Sequence, residues 1–142
     1  MERGRPKALA CVRGEGTLCG CVKFYAIPGG SLVVAEVAGL PEEGPGFFAM
    51  HIHEGGSCCG EGFPETGGHY DTTGAEHPGH AGDLPPLLSN HGRAYLAVKT
   101  CRFTPEEVVG RTVVIHSHPD DFHTQPAGNS GRKIACGVIR AV

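Results

Sequence analysis

Nine histidines occur in 142 residues, and seven of them fall into four groups along the chain. His51-x-His53 is the first, His69 the second, His77-x2-His80-x2-Asp83 the third, and His116-x-His118 the fourth. A four-nitrogen imidazole set suits tetragonal Cu(II). Three histidines with one carboxylate suit tetrahedral zinc. Taken alone, His-x-His is a weak signal, and on an exposed strand face it is more often two solvated rings than a chelate. The third group is more specific, because three ligand types within seven positions can wrap one cation. Two sets can be drawn: His51, His53, His69 and His116 for copper, and His69, His77, His80 and Asp83 for zinc. Both use His69. An imidazole has two ring nitrogens, so one ring can join two metals when both are deprotonated. Spacing alone leaves that bridge open.

Short strands must position these residues. Runs at 7–13, 18–26, 31–38, 47–53, 93–99, 111–116 and 133–142 are apolar or β-branched, and Gly/Pro clusters cut most of them apart. That pattern predicts an all-β sandwich or barrel. In Phe47-Phe48-Ala49-Met50-His51-Ile52-His53, residues two apart share a strand face, so His51 and His53 project together. The pattern vanishes from Gly55 to Ser89 and again from Ser117 to Gly131. Loops of the first length are uncommon in compact domains and are usually functional or disordered. The ligand groups inside this one favour an ordered, metal-tied loop. Thr104 to Val109 alone resembles a helical turn, with Thr at the cap, Pro in the first position and acids following.

Composition narrows the function classes. The chain carries 23 Gly and 11 Pro, which works against long helices, and its length fits a single domain over residues 1–142. No run approaches the ~18 apolar residues of a membrane span. The formal net charge is −3, there is no Trp, and no Lys/Arg run appears, so nucleic acid is not an expected partner. A mild negative charge also disfavours anions at long range, so anion chemistry would need a local positive focus. The basic start is followed by too short an apolar stretch for a leader, and the chain reads as cytoplasmic; a chain with its leader removed would read the same. Seven cysteines leave at least one thiol without an intramolecular disulfide partner. Cys11, Cys19, Cys21 and Cys101 sit in strand-like surroundings where buried, inert thiols are expected. Cys19-Gly20-Cys21 is also a conceivable soft-metal chelate.

Several segments, in this order, resemble the signature of copper/zinc superoxide dismutases: His51-Ile52-His53-Glu54-Gly55, Gly67-Gly68-His69-Tyr70-Asp71, His80-Ala81-Gly82-Asp83-Leu84-Pro85, Gly110-Arg111-Thr112-Val113-Val114-Ile115-His116, Gly128-Asn129-Ser130-Gly131 and Ile134-Ala135-Cys136-Gly137-Val138-Ile139. The likeness spans about Ala8 to Val142. It implies an eight-stranded Greek-key β-barrel or sandwich with two long loops, binding copper and zinc and disproportionating superoxide. His51, His53, His69 and His116 would bind copper. His69 would bridge to zinc, which His77, His80 and Asp83 would complete. Asp120 occupies the position of the acid that links ligands of the two metals. Cys58 and Cys136 match the family disulfide, although Cys59 next to Cys58 leaves the pairing open. Family members are often dimers, so a homodimer is an expected assembly, with no segment identifying its interface.

The chain departs from the family pattern in three ways. Lys133 stands where an Arg usually guides superoxide, which keeps the charge and loses the planar fork. Arg132 should face the opposite way on its strand and not replace it. Both loops are short, with only two residues between His77 and His80, which predicts weak zinc binding or one unused imidazole. His118 and His123 are extra, with surface positions expected. The implied catalytic residues are His69, exchanging a proton during the cycle, and Lys133, drawing in the anion. A non-enzymatic copper- or zinc-binding protein on the same fold is the alternative.

Overall fold

The computed structural model describes residues 4–142. Nine strand segments run β1 (Ala8–Gly14), β2 (Cys19–Ile27), β3 (Gly30–Ala38), β4 (Phe47–Phe48), β5 (Met50–His53), β6 (Leu87–Leu88), β7 (Ala94–Thr100), β8 (Thr112–His116) and β9 (Lys133–Ala141). A 3-10 turn covers Pro64–Thr66, and a single helical turn, α1, covers Pro105–Val108. Glu107 closes that turn by accepting from the Thr104 backbone N–H and hydroxyl. Among the described residues, no helix is long and apolar enough to cross a membrane.

Seven strands form one antiparallel sheet in the order β5-β8-β9-β1-β2-β3-β7. The first and last of these, β5 and β7, are its edges. β4 leads into β5 and β6 leads toward β7, and β4 and β6 pair with each other. This small ribbon bridges the open side of the curled sheet. The expected strand over 47–53 is therefore interrupted at Ala49, because its two halves pair with different partners. Counted as one interrupted strand, the barrel has the eight strands expected. Leu87–Leu88 lay inside the stretch read as loop; two residues are too few for period-2 alternation to register.

The core follows from that alternation. Ala8, Ala10 and Val12 of β1, Val22 and Phe24 of β2, and Val33, Ala35 and Val37 of β3 point inward and are buried. Phe103 packs edge-on against Phe24, with ring centroids 6.2 Å apart. The outward positions of β1 and β2 include Cys11, Arg13, Cys19, Cys21 and Lys23. Cys11, Cys19 and Cys101 are exposed and Cys21 is half-buried, which corrects the expectation of buried thiols. Val12 and Val22 already fill the inward face, and strand parity turns their cysteine neighbours to solvent.

Candidate metal centre

β5 and β8 are buried on both faces. Met50, Ile52, Val113 and Ile115 enter the core. Alternation then sends His51, His53 and His116 to the opposite face, where the loops at 54–86 and 117–132 cover them. The loops attach by backbone bonds along the free edge of β5: Ile52 N–H donates to Gly82 O, Tyr70 N–H to Ile52 O, and Glu54 N–H to Gly68 O. Isolated bridges bring His69 beside His53 and Asp83 beside His51. An edge strand with open hydrogen-bonding groups thus becomes the anchor of the loop. The register irregularity between Ile115 and His116 re-aims the His116 ring. His51, His53 and His116 are only 0%, 2% and 3% exposed.

Two ligand groups form. One nitrogen each from His51, His53, His69 and His116 all lie within 4.8 Å of one another. Hydrogen-bond partners on the far side of each ring decide which nitrogen faces inward. His51 Nε2–H donates to Asp120 Oδ2 at 2.8 Å, leaving Nδ1 buried and without a partner. His53 Nδ1–H donates to Gly67 O at 2.8 Å, and His116 Nδ1–H to Gly131 O at 3.5 Å. Their Nε2 atoms then face each other at 3.2 Å as two lone pairs. Such an approach repels unless a positive centre lies between them, and a cation suits it.

Asp83 is the hub of the second group. His69 Nδ1 lies 2.7 Å from its Oδ1, while His77 Nδ1 and His80 Nδ1 lie 3.1 and 3.0 Å from its Oδ2. The two-residue spacing from His77 to His80 therefore does not leave an imidazole out of reach of the shared carboxylate. A four-residue set on this side comprises His51, His69, His77 and Asp83; His80 reaches Asp83 but lies outside that set. His69 belongs to both groups, with Nδ1 at Asp83 and Nε2 buried and unpartnered toward the other three rings. Asp120 spans the groups from behind, accepting from His51 Nε2 and, at 2.7 Å, from His77 Nε2. Gly128 makes room for this: a Cβ there would collide with Asp120 Oδ1 and lie 2.6 Å from His77 Nε2.

The electrostatics follow from burial. Burial pushes the His53 imidazole down to about 2 and His116 to about 3, helped by neighbouring histidines and by the Lys133 charge. Burial also lowers His51, against the pull of Asp120. These rings stay neutral, as metal ligands must. Burial alone would raise Asp83 and Asp120. Histidine contacts outweigh it for Asp83, and for Asp120 bonds from His51, His77 and the Phe122 N–H do the same, so both are held below their usual range.

Lys133 donates to Thr66 Oγ1 at 2.6 Å, Gly67 O at 3.2 Å and Phe63 O at 3.5 Å. It thereby shares the Gly67 carbonyl with His53. Arg132 turns away to Glu15, 2.7 Å from Oε1. Cys58 bonds Cys136 and leaves Cys59 free, tying the loop to β9. His118 and His123 are exposed and lie outside both ligand groups. Three positioning residues escaped sequence reasoning. Arg102 donates to the carbonyls of Pro78 and His80. Gln125 holds the His77 backbone at both its N–H and its carbonyl. Asp71 caps the N–H groups of Ala75 and Ala81. Each is a lone polar residue in a loop, and nothing in its spacing announces a distant partner.

A sequence profile of the copper/zinc superoxide dismutase (SODC) family matches residues 18–139. The chain belongs to the copper/zinc superoxide dismutase family. A relative named as a Cu-Zn superoxide dismutase in Deinococcus radiodurans is 38% identical, covering 99% of this chain and 88% of its own length. Another from Aquifex aeolicus is 33% identical, covering 91% and 83%. A third, from Arabidopsis thaliana, is 31% identical, covering 96% and 92%. The Greek-key barrel, two histidine clusters and loop disulfide found here are in keeping with this family.

Proposed function

We propose that this protein disproportionates superoxide to oxygen and hydrogen peroxide at a histidine-held copper beside a zinc. The observation that carries the reading is His69, one ring with a nitrogen in each ligand group. Copper would be held by His51 Nδ1 and by Nε2 of His53, His69 and His116. Zinc would be held by Nδ1 of His69, His77 and His80 with Asp83. Orphaned buried nitrogens on His51, His69, His77 and His80 support this donor set. A copper held there would supply one-electron exchange with superoxide, and the zinc would be redox-silent.

The remaining work belongs to the chain. Asp120 fixes the tautomers and tilt of His51 and His77. The Gly67 carbonyl does the same for His53. His69 carries a proton at Nε2 in the reduced half of the cycle and releases it in the other, while Asp83 keeps its ring oriented. Lys133 places the positive charge beside His53 and His116, where an incoming anion needs it. The whole chain, residues 1–142, acts as one domain in this reading.

His116→Ala tests the assignment. Copper occupancy and superoxide removal should fall together, with zinc occupancy largely retained. If the unaltered protein binds a full equivalent of copper and removes no superoxide, the enzymatic reading fails and a metal-binding role replaces it. A homodimer is expected from the family likeness, and the mass of the native protein in solution checks it.

A further inference from the structure

Three thiols outside the metal centre share the outer face of the β1–β2 hairpin. Cys11 stands directly opposite Cys21, and Arg13 opposite Cys19. The backbone bonds reveal the kind of pair. Gly14 N–H donates to Leu18 O in the β1–β2 hairpin, whereas the next residue, Glu15, donates its N–H to Ile134 O of β9. Even-numbered residues of β1 thus bond toward β2 and odd-numbered ones toward β9. Cys11 and Cys21 therefore form a non-hydrogen-bonded pair, the type with Cα atoms about 4.5 Å apart and the closest side chains.

A disulfide requires Cα atoms about 4.4–6.8 Å apart. The diagonal Cys11–Cys19 separation is about 7–8 Å. Cys19 and Cys21, two residues apart on one strand, are separated by roughly 6.5 Å and point along parallel directions. Only Cys11 and Cys21 combine short separation with facing side chains. No third ligand atom joins them: among the described residues, only histidine-based groups gather three or more ligands. The pair opens onto a surface hollow of about 740 Å³ lined also by Arg13, Glu36 and Arg93.

We propose that Cys11 and Cys21 are an oxidisable dithiol that hydrogen peroxide converts into a cross-strand disulfide. Cys11 is exposed and meets peroxide first. Its sulfur attacks one peroxide oxygen, the O–O bond breaks, and the departing hydroxide takes the thiol proton to leave as water. The resulting sulfenic acid is then attacked by the Cys21 sulfur. The S–O bond breaks, the S–S bond forms, and a second water carries away the Cys21 proton. Two thiols are oxidised and one peroxide is reduced to two waters. Burial raises the Cys21 thiol and Cys11 beside it raises it further, which suits Cys21 to the second step. Peroxide is small and uncharged, so the hollow needs no steering field. That the protein makes this oxidant itself rests on the proposed dismutation; peroxide added from outside does not.

The test uses the metal-loaded native protein and stoichiometric hydrogen peroxide. Remaining thiols are blocked and the protein is digested with trypsin without reduction. Cleavage after Arg13 places Cys11 in peptide 8–13 and Cys19 with Cys21 in peptide 14–23. The expected product is a linked 8–13/14–23 pair, two hydrogens lighter than its parts. Five free thiols should fall by two to three. Cys19→Ser should keep the link, and Cys11→Ser or Cys21→Ser should abolish it. The inference is overturned if Cys11 ends as sulfinic acid, if the link survives in Cys21→Ser, or if Cys11 joins Cys58, Cys136 or a second chain. Oxidation of Cys59 or Cys101 ahead of the pair also overturns it. Superoxide removal measured on the same samples judges the dismutase reading separately: the cross-link can form in a protein that removes no superoxide, and the reverse.

Discussion

Each ring nitrogen in the centre has its orientation settled by something behind it, and Asp120 settles two of them. It accepts from both His51 and His77. Asp120→Asn replaces one acceptor oxygen by a donor, so one imidazole must turn or change tautomer. Affinity for copper and zinc should fall about 10–100-fold, as outer partners of metal-bound histidines usually cost when removed; competition with a chelator would measure it. The buried histidines also set an acid limit. In the unfolded chain His53 and His116 take up protons below their ordinary value of 6.5, but in the folded protein only near 2 and 3. The unfolded state therefore binds more protons throughout that interval, and stability drops as the pH is lowered through it. Asp83 and Asp120, also lowered on folding, add a second loss below their ordinary 3.8. The metal-free protein should thus show a lower thermal midpoint at about pH 5 than at about pH 7.5. An unchanged midpoint would mean the rings are not buried as described.

Elements bring the rings together through alternation on β5 and β8, whose inward residues belong to the core and whose outward residues belong to the site. That much was readable in the Met50-His51-Ile52-His53 run, because period-2 alternation is a local property. The loop that completes the site was only partly readable. Its ligands could be named, but Leu87–Leu88, the Arg102 clamp and the bonds along the edge of β5 join residues far apart in sequence. The disulfide adds a covalent tie across 78 residues. By the chain-entropy model, closing a loop of that length contributes about 4 kcal/mol, largely by restricting the unfolded chain. Cys58→Ser should therefore lower unfolding free energy by about that amount in denaturant titration. Cys59→Ser should have little effect, since Cys59 is exposed and free.

At the scale of the whole molecule, the formal charge of −3 works against a negatively charged substrate. Lys133 is a local exception, with its charge felt at both His53 and His116. It is also held: three loop oxygens accept from its ammonium. Lys133→Gln should slow superoxide removal by about tenfold at low salt and flatten its ionic-strength dependence, within the range that focused fields contribute to association. Lys133→Arg should retain the salt dependence. Stopped-flow rates across ionic strength decide this, and a glutamine variant with the original salt profile would remove Lys133 from any steering role.

Residue types and local periodicity determined the class of fold, the ligands on offer and the shared use of His69 as a chemical option. Both depend only on neighbours along the chain: alternation selects faces, and imidazole chemistry selects metals. Which nitrogen of each ring points where, which of two adjacent cysteines is bonded, and that outer-face cysteines stand exposed in register were decided by tertiary structure alone. Those outcomes depend on carbonyls, carboxylates and strand partners that sequence distance hides and packing brings within a few ångströms.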